Sequence, residues 1–187
     1  MRLGVSALIH TTNAVKIKKF RDLPKQTHIR YGVVKGGRIL NRFYHATEET
    51  YSQMYQKMMR NIPYSLADNK THGIHMAKIS EYAFIQESAD NEFIASNDCD
   101  LTSIPDTSDY FRTEYAIALP KGSPYLSKFN FAISKMDKNG DFNRIKTKHW
   151  TGICNSAKSL LDYHNWFLLI FIILFSLMLS QTLSFNH

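Results

Sequence analysis

The segment HIRYGVV at 28–34 alternates apolar and polar side chains and is rich in β-formers, which predicts a strand. Lys35-Gly36-Gly37 then interrupts it with a turn that tolerates positive φ. In EETYSQMYQKMMRN the period changes. Thr47 stands as an N-cap ahead of the acids, and Tyr51, Met54, Tyr55 and Met58 recur at helical spacing on one stripe. That stripe reads as a core face, not as a cofactor box. After Pro63, SLADNK predicts a short helix, HGIHMA a strand, and ISEYAFIQES a second amphipathic helix. SIPDTSD reads as a loop, and EYAIALP as a strand stopped by Pro120. SPYLSKFNFAISKMDKNG predicts a helix opened by Ser123, with Pro124 at its first position and Gly140 at its end. Leu126, Phe129, Ile133 and Met136 would form its buried stripe. DFNRIKTKHW predicts a further short helix. Residues 1–27 show no such pattern and read as a linker that becomes ordered near FRDLPKQT. Strands alternating with helices predict an α/β lobe with a partly parallel sheet.

The pattern changes again from 165 to 185, where no charge occurs and Leu, Ile, Phe and Met dominate. A helix needs about twenty such residues to span hydrocarbon. The fully apolar run 166–179 is slightly short, so a buried core helix competes with a membrane span. Trp166 and Tyr163, placed where an interfacial aromatic belt belongs, favour the span. Residues 155–164 then read as a juxtamembrane linker. Residues 1–9 carry one charge and a brief apolar run, too poorly flanked for a cleavable leader. Every Lys and Arg precedes the span, which by simple counting would leave the body in the cytoplasm. Long domains translocate largely regardless of charge, so the cysteines must arbitrate.

Charge and composition remove several function classes. The chain has 187 residues, a net charge of +7 and 44% hydrophobic residues, enough for one modest core. Its basic residues do not form an arm or a stripe. Lys16, Lys18, Lys19 and Arg21 make the only dense group, and those from Lys135 to Lys148 are spaced like wet helix faces. This argues against nucleic acid. DKNGD imitates the start of an EF-hand loop, but Phe142 and Lys148 stand where glycine and an acid are needed. The histidines do not combine with the cysteines at zinc spacing, and His72 and His75 would point to opposite faces of a strand. No phosphate-cradling loop, nucleophile elbow or carboxylate pair appears. The sequence therefore predicts no enzyme, metal site or cofactor. Cys99 and Cys154 are either free buried thiols or a bridge, and composition alone does not choose.

The run YAIALPKGSPYLSKFNFAISKMDKNGDFNRIKTKHWTGIC resembles the end of the ligand-binding domain of ionotropic glutamate receptors. There a strand, a Gly-Ser turn and two helices lead to a Trp and a Cys before the last membrane helix. TGIC is closest to the NMDA-type branch. FRDLPKQTHIRYGVVKGG and YSQMYQKM look like the opening of that family's second extracellular segment, so the resemblance runs from about 20 to 185. It implies a periplasmic-binding-protein-like α/β lobe at 28–154, half of a bilobed domain, followed by a transmembrane helix at 165–185. RLGVSALI would be the frayed end of a pore-side helix within 1–27.

The same resemblance implies a Cys99–Cys154 disulfide, which needs an oxidising compartment and so an extracellular lobe at the plasma membrane. Asn69 begins a glycosylation sequon compatible with that side. The implied partners are an amino-acid-like ligand, other channel subunits in a tetramer, and membrane lipid. The pocket positions fall at Gly37, Arg38, Ile39, Met76 and Tyr115. Arg38 and Ile39 replace small hydroxyl residues, and Met76 stands where an acid should meet the ligand's ammonium. Tyr115 alone matches the pattern. Little glutamate binding by this chain alone is therefore expected. Most of the first lobe, its arginine for the ligand's α-carboxylate, the pore loop and the other membrane segments do not appear, which suggests a truncated or divergent subunit. The competing reading is a membrane-tethered solute-binding or interaction module without channel activity.

Overall fold

In the computed structural model, residues 4–150 and 152–154 are described. A four-stranded sheet of order β2-β3-β1-β4 forms the centre. Its strands are β1 (Val5–His10), β2 (Arg30–Gly32), β3 (Tyr82–Glu87) and β4 (Leu101–Pro105). β1 runs antiparallel to both β3 and β4, while β2 joins β3 in parallel. The sheet is thus partly parallel. The helices are α1 (Thr11–Ala14), α2 (Arg38–Tyr44), α3 (Glu49–Arg60), α4 (Ile62–Ser65), α5 (Lys70–Ile79), α6 (Ser88–Asn97), α7 (Leu126–Lys138) and α8 (Asp141–His149).

The sheet is covered on both faces. On one, Ala7, Ile9, Ala83 and Ile85 meet Tyr51, Met54 and Met58 of α3, with Phe20, Leu23, Phe43 and Phe111 around them. On the other, Leu8, Tyr82 and Phe84 meet Ala67, Ala77 and Leu101. The α3 stripe falls where helical spacing puts it, with Tyr55 half-buried at its edge.

Double coverage explains the largest departures from the sequence pattern. Residues 5–10 are not linker but a central strand, because a strand buried on both faces is a continuous apolar run without period-two alternation. ISEYAFIQES, expected as a helix, holds β3 for the same reason. HGIHMA, expected as a strand, lies within α5. Only Gly73 and Ala77 of that helix are buried, so its core face carries almost no hydrophobic signal. A Cβ on Gly73 would lie 2.3 Å from the Phe84 ring, so the small residue sets how closely α5 approaches β3. His72 and His75 accordingly share a helix and do not sit on opposite faces of a strand. SLADNK is not helical as a unit: α4 ends at its first residue, Ser65, α5 begins at its last, Lys70, and Ala67 makes a parallel bridge to Val34. SIPDTSD contributes to β4, and EYAIALP pairs into none of the four strands.

Helix α7 begins at Leu126, after the Ser123-Pro124 turn, and Gly140 at φ 73° separates it from α8. Its predicted stripe is present but uncovered. Leu126 is 56% exposed, Phe129 40% and Ile133 37%, with Met136 half-buried. Periodicity identifies an apolar face without saying what covers it, and no described residue buries this one. α8 is anchored better, by the Lys146–Glu92 ion pair and by Trp150 edge-on to Phe93 of α6. Beyond it, Cys154 is disulfide-bonded to Cys99, with the two Cα atoms 5.2 Å apart. The expected juxtamembrane segment 155–164 and span 165–185 lie outside the described residues, and no helix among the described residues is long and apolar enough to cross a membrane.

One buried polar cluster ties the sheet to α6. The Asn91 side-chain amide donates to both the backbone and hydroxyl oxygens of Ser6 at 2.9 Å, and accepts from Gln86 Nε2 at 2.6 Å. Asn91 is fully buried. Asn91→Ala leaves those partners unmatched inside the protein and is expected to cost about 2 kcal/mol. Urea unfolding of wild type and variant measures it; equal midpoints would show the cluster contributes nothing.

Candidate functional site

The candidate site forms where three segments converge at the C-terminal end of β3, an interior strand of the sheet. β3 ends at Glu87 and α6 starts at Ser88. The turn after β2, with Gly36 at φ 67°, leads into Arg38 at the start of α2. The segment 113–115 crosses in front. Together they enclose a cavity of about 90 Å³ lined by Arg38, Glu87, Ser88, Thr113, Glu114 and Tyr115.

Each segment is held by identifiable contacts. The Ser88 N–H donates to the Gly4 carbonyl at 2.9 Å, and the Gly4 N–H donates to Ser88 Oγ at 3.2 Å. The strap leading to 113–115 is fixed to α2 and α3. The Arg42 guanidinium donates to the carbonyls of Tyr110 and Phe111, and the Tyr110 hydroxyl returns a bond to the Arg42 carbonyl at 2.9 Å. Tyr51 stacks on Tyr110 with ring centroids 4.8 Å apart and donates its hydroxyl to Asp106 at 2.6 Å. Burial first, and then the bond to Asp106, pushes the Tyr51 hydroxyl up to about 12, so it remains a donor at neutral pH.

Electrostatically the cavity centres on one ion pair. The Arg38 guanidinium donates to the Glu87 carboxylate. Arg38 is the single cation among the described lining residues, and Glu114 is engaged by Arg112 at 3.4 Å. The remaining side-chain polar groups are the hydroxyls of Ser88, Thr113 and Tyr115. Such a wall can hold an ammonium at Glu87 and can donate to an acidic group through Arg38 and the hydroxyls.

The sequence-expected positions divide. Arg38 and Tyr115 line the cavity; Gly37 is the N-cap of α2 beside it. Ile39 turns away and packs on the first core. Met76 does not line the cavity. It lies on α5 against the second core, far along the fold from the cavity lining. The carboxylates at the site are Glu87 and Glu114, and Glu87 is the one paired with Arg38. Family positions anchored on Glu81-Tyr82 do not single it out. Read as a buried strand, the run ISEYAFIQES ends in Glu-Ser at the mouth of a helix, and that signal was available. Asn69 is exposed, and its Oδ1 caps α5 by accepting from the His72 N–H at 2.9 Å, leaving the amide nitrogen clear of the cap.

No family model matches the chain. Over 81% of its length it is 33% identical to the kainate-type ionotropic glutamate receptor glr-3 of Caenorhabditis elegans. It is equally 33% identical, over 70% of its length, to the kainate 1 ionotropic glutamate receptors of Rattus norvegicus and Homo sapiens. The chain belongs to the ionotropic glutamate receptor family. The family's members are receptors and not enzymes, in keeping with the lack of a catalytic constellation in the sequence. These relatives are kainate-type, although TGIC resembles the NMDA-type branch. The chain spans 18% of the nematode receptor and 14% of the mammalian ones. Among solved structures, the Drosophila muscle GluRIIB complex with glutamate shares the fold, with TM-score 0.63 and 23% identity, over 81% of this chain and 59% of that one.

Proposed function

We propose that this chain is the second lobe of the extracellular ligand-binding domain of a ligand-gated channel subunit. In this reading the lobe recognises an amino-acid ligand, and the segment 165–185 is the membrane helix it acts on. The observation that carries the proposal is the Glu87 carboxylate in a cavity with Arg38, Ser88, Thr113 and Tyr115. A carboxylate is the group an amino acid's ammonium requires, and its presence removes the reason for expecting none to bind. The Cys99–Cys154 bridge supports an oxidising, extracellular setting for the lobe, with Asn69 exposed for glycosylation. The uncovered face of α7 supports a missing first lobe as its cover, and other subunits would complete the pore.

One wall of a cleft binds weakly, so affinity in the millimolar range is expected for L-glutamate. An NMR titration of the full chain in detergent measures it. Glu87→Gln removes the charge that pairs with the ammonium and is expected to weaken binding about tenfold or more. A Glu87→Gln protein that binds L-glutamate as the wild type does would overturn the amino-acid reading.

A further inference from the structure

The cavity carries its own cation, Arg38, against the carboxylate a ligand's ammonium would seek. Two acids and one base line the cavity. Glu114 is met by Arg112, which leaves Arg38 as the partner of Glu87 among the described residues. Arg38 reaches Glu87 from the first residue of α2, on a side chain that is 69% exposed. It is tethered by its stem alone: no other hydrogen bond holds the guanidinium among those observed, and solvent lies open around it. An exposed pair of this kind exchanges partners at low cost.

We propose that Arg38 is a tethered counter-ion for Glu87, competing for the carboxylate that an ammonium-bearing ligand must take. Arg38 thereby sets the affinity threshold of the cavity. A ligand's ammonium binds Glu87 only by displacing the guanidinium, so the measured affinity is the intrinsic one reduced by the strength of the internal pair. The ligand class this favours is an amino acid whose side-chain acidic group can receive the displaced guanidinium. A ligand with an ammonium and an uncharged side chain meets the competition without that return.

This inference rests on the amino-acid reading of the site, and the test separates the two. L-Glutamine, which lacks a side-chain charge, is titrated into the full chain and followed by NMR. Arg38→Ser removes the competitor and is expected to tighten L-glutamine binding about threefold to fivefold, the range an exposed ion pair supports. Arg38→Lys keeps the charge and should stay near wild type. Equal gains from Ser and Lys would show that removal of the charge is not what tightens binding and would overturn the proposal. So would an unchanged or weaker affinity in Arg38→Ser. Glu87→Gln in the Arg38→Ser background is expected to abolish the gain. If Glu87→Gln still weakens binding while Arg38→Ser does not strengthen it, the amino-acid reading stands and the counter-ion role falls. If no variant binds at all, both fall.

Discussion

Replacing both Cys99 and Cys154 with serine will lower the stability of the lobe by about 4 kcal/mol, the chain-entropy value for a loop of this size. The bridge closes 55 positions of sequence. That loop includes β4, the strap over the cavity, and helices α7 and α8. Few other contacts hold its far end. α7 buries none of its residues, and α8 is attached by the Lys146–Glu92 pair and the Trp150–Phe93 edge contact. Without the bridge, those contacts and the close packing of Gly152 on Ser96 must keep the C-terminal helices on α6. The loss should therefore be visible as separate release of α7 and α8 before the sheet unfolds. Hydrogen exchange will report it as early opening of 126–149 with the β1–β3 pairing still protected. Denaturant curves that do not shift, or exchange that stays uniform, would show the bridge to be incidental. Alkylation of both thiols in unreduced protein would contradict the bridge itself.

How much of this was legible depended on whether an element had one wet face. The α3 stripe of Tyr51, Met54 and Met58 and the apolar spacing along α7 were readable because polar residues alternate with them at helical period. β1 and β3 were not. Val5, Ser6, Ala7, Leu8 and Ile9 are all buried, as are Tyr82 to Gln86, and a strand buried on both faces carries no period. α5 was illegible for the opposite reason, since it meets the sheet through Gly73 and Ala77 and carries no apolar stripe. Anchoring the family resemblance on Glu81-Tyr82 displaces the acid position. The acid was sought at Met76, upstream of the Glu81-Tyr82 pair, when the strand's far end delivers Glu87 to the cavity. Arg38 and Tyr115 follow from the family resemblance, whose positions around Gly37 and at the start of the 115 segment both fall on the cavity. The partner of Arg38 could not be found without the sheet that brings position 87 opposite position 38.

Gly32→Ala is expected to destabilise the lobe by about 3 kcal/mol or more, above the usual cost of one extra methyl group in a packed core. A Cβ at this position would stand 1.5 Å from the Ser65 carbonyl oxygen and 2.7 Å from the Tyr82 hydroxyl. Neither neighbour can yield alone, because the Tyr82 hydroxyl donates to that same Ser65 oxygen at 2.7 Å and Tyr82 is fully buried. Backbone must move. The strand that moves is β2, whose parallel pairing puts Gly32 opposite Phe84. Immediately after it the chain is fastened to Ala67, which donates to Val33 O at 3.0 Å and accepts from the Lys35 N–H at 2.9 Å. Displacing β2 therefore carries Lys35, Gly36 and Gly37 with it, and so the base of Arg38. The substitution should separate stability from binding in a telling way. Under conditions where the variant remains folded, its L-glutamine affinity should move toward that of Arg38→Ser, since the guanidinium no longer reaches Glu87. Urea unfolding and the same NMR titration measure both quantities. A wild-type midpoint would show that α4 and β2 are not in the close contact described, while a destabilised variant with unaltered affinity would show that the turn carrying Arg38 is positioned independently of its strand.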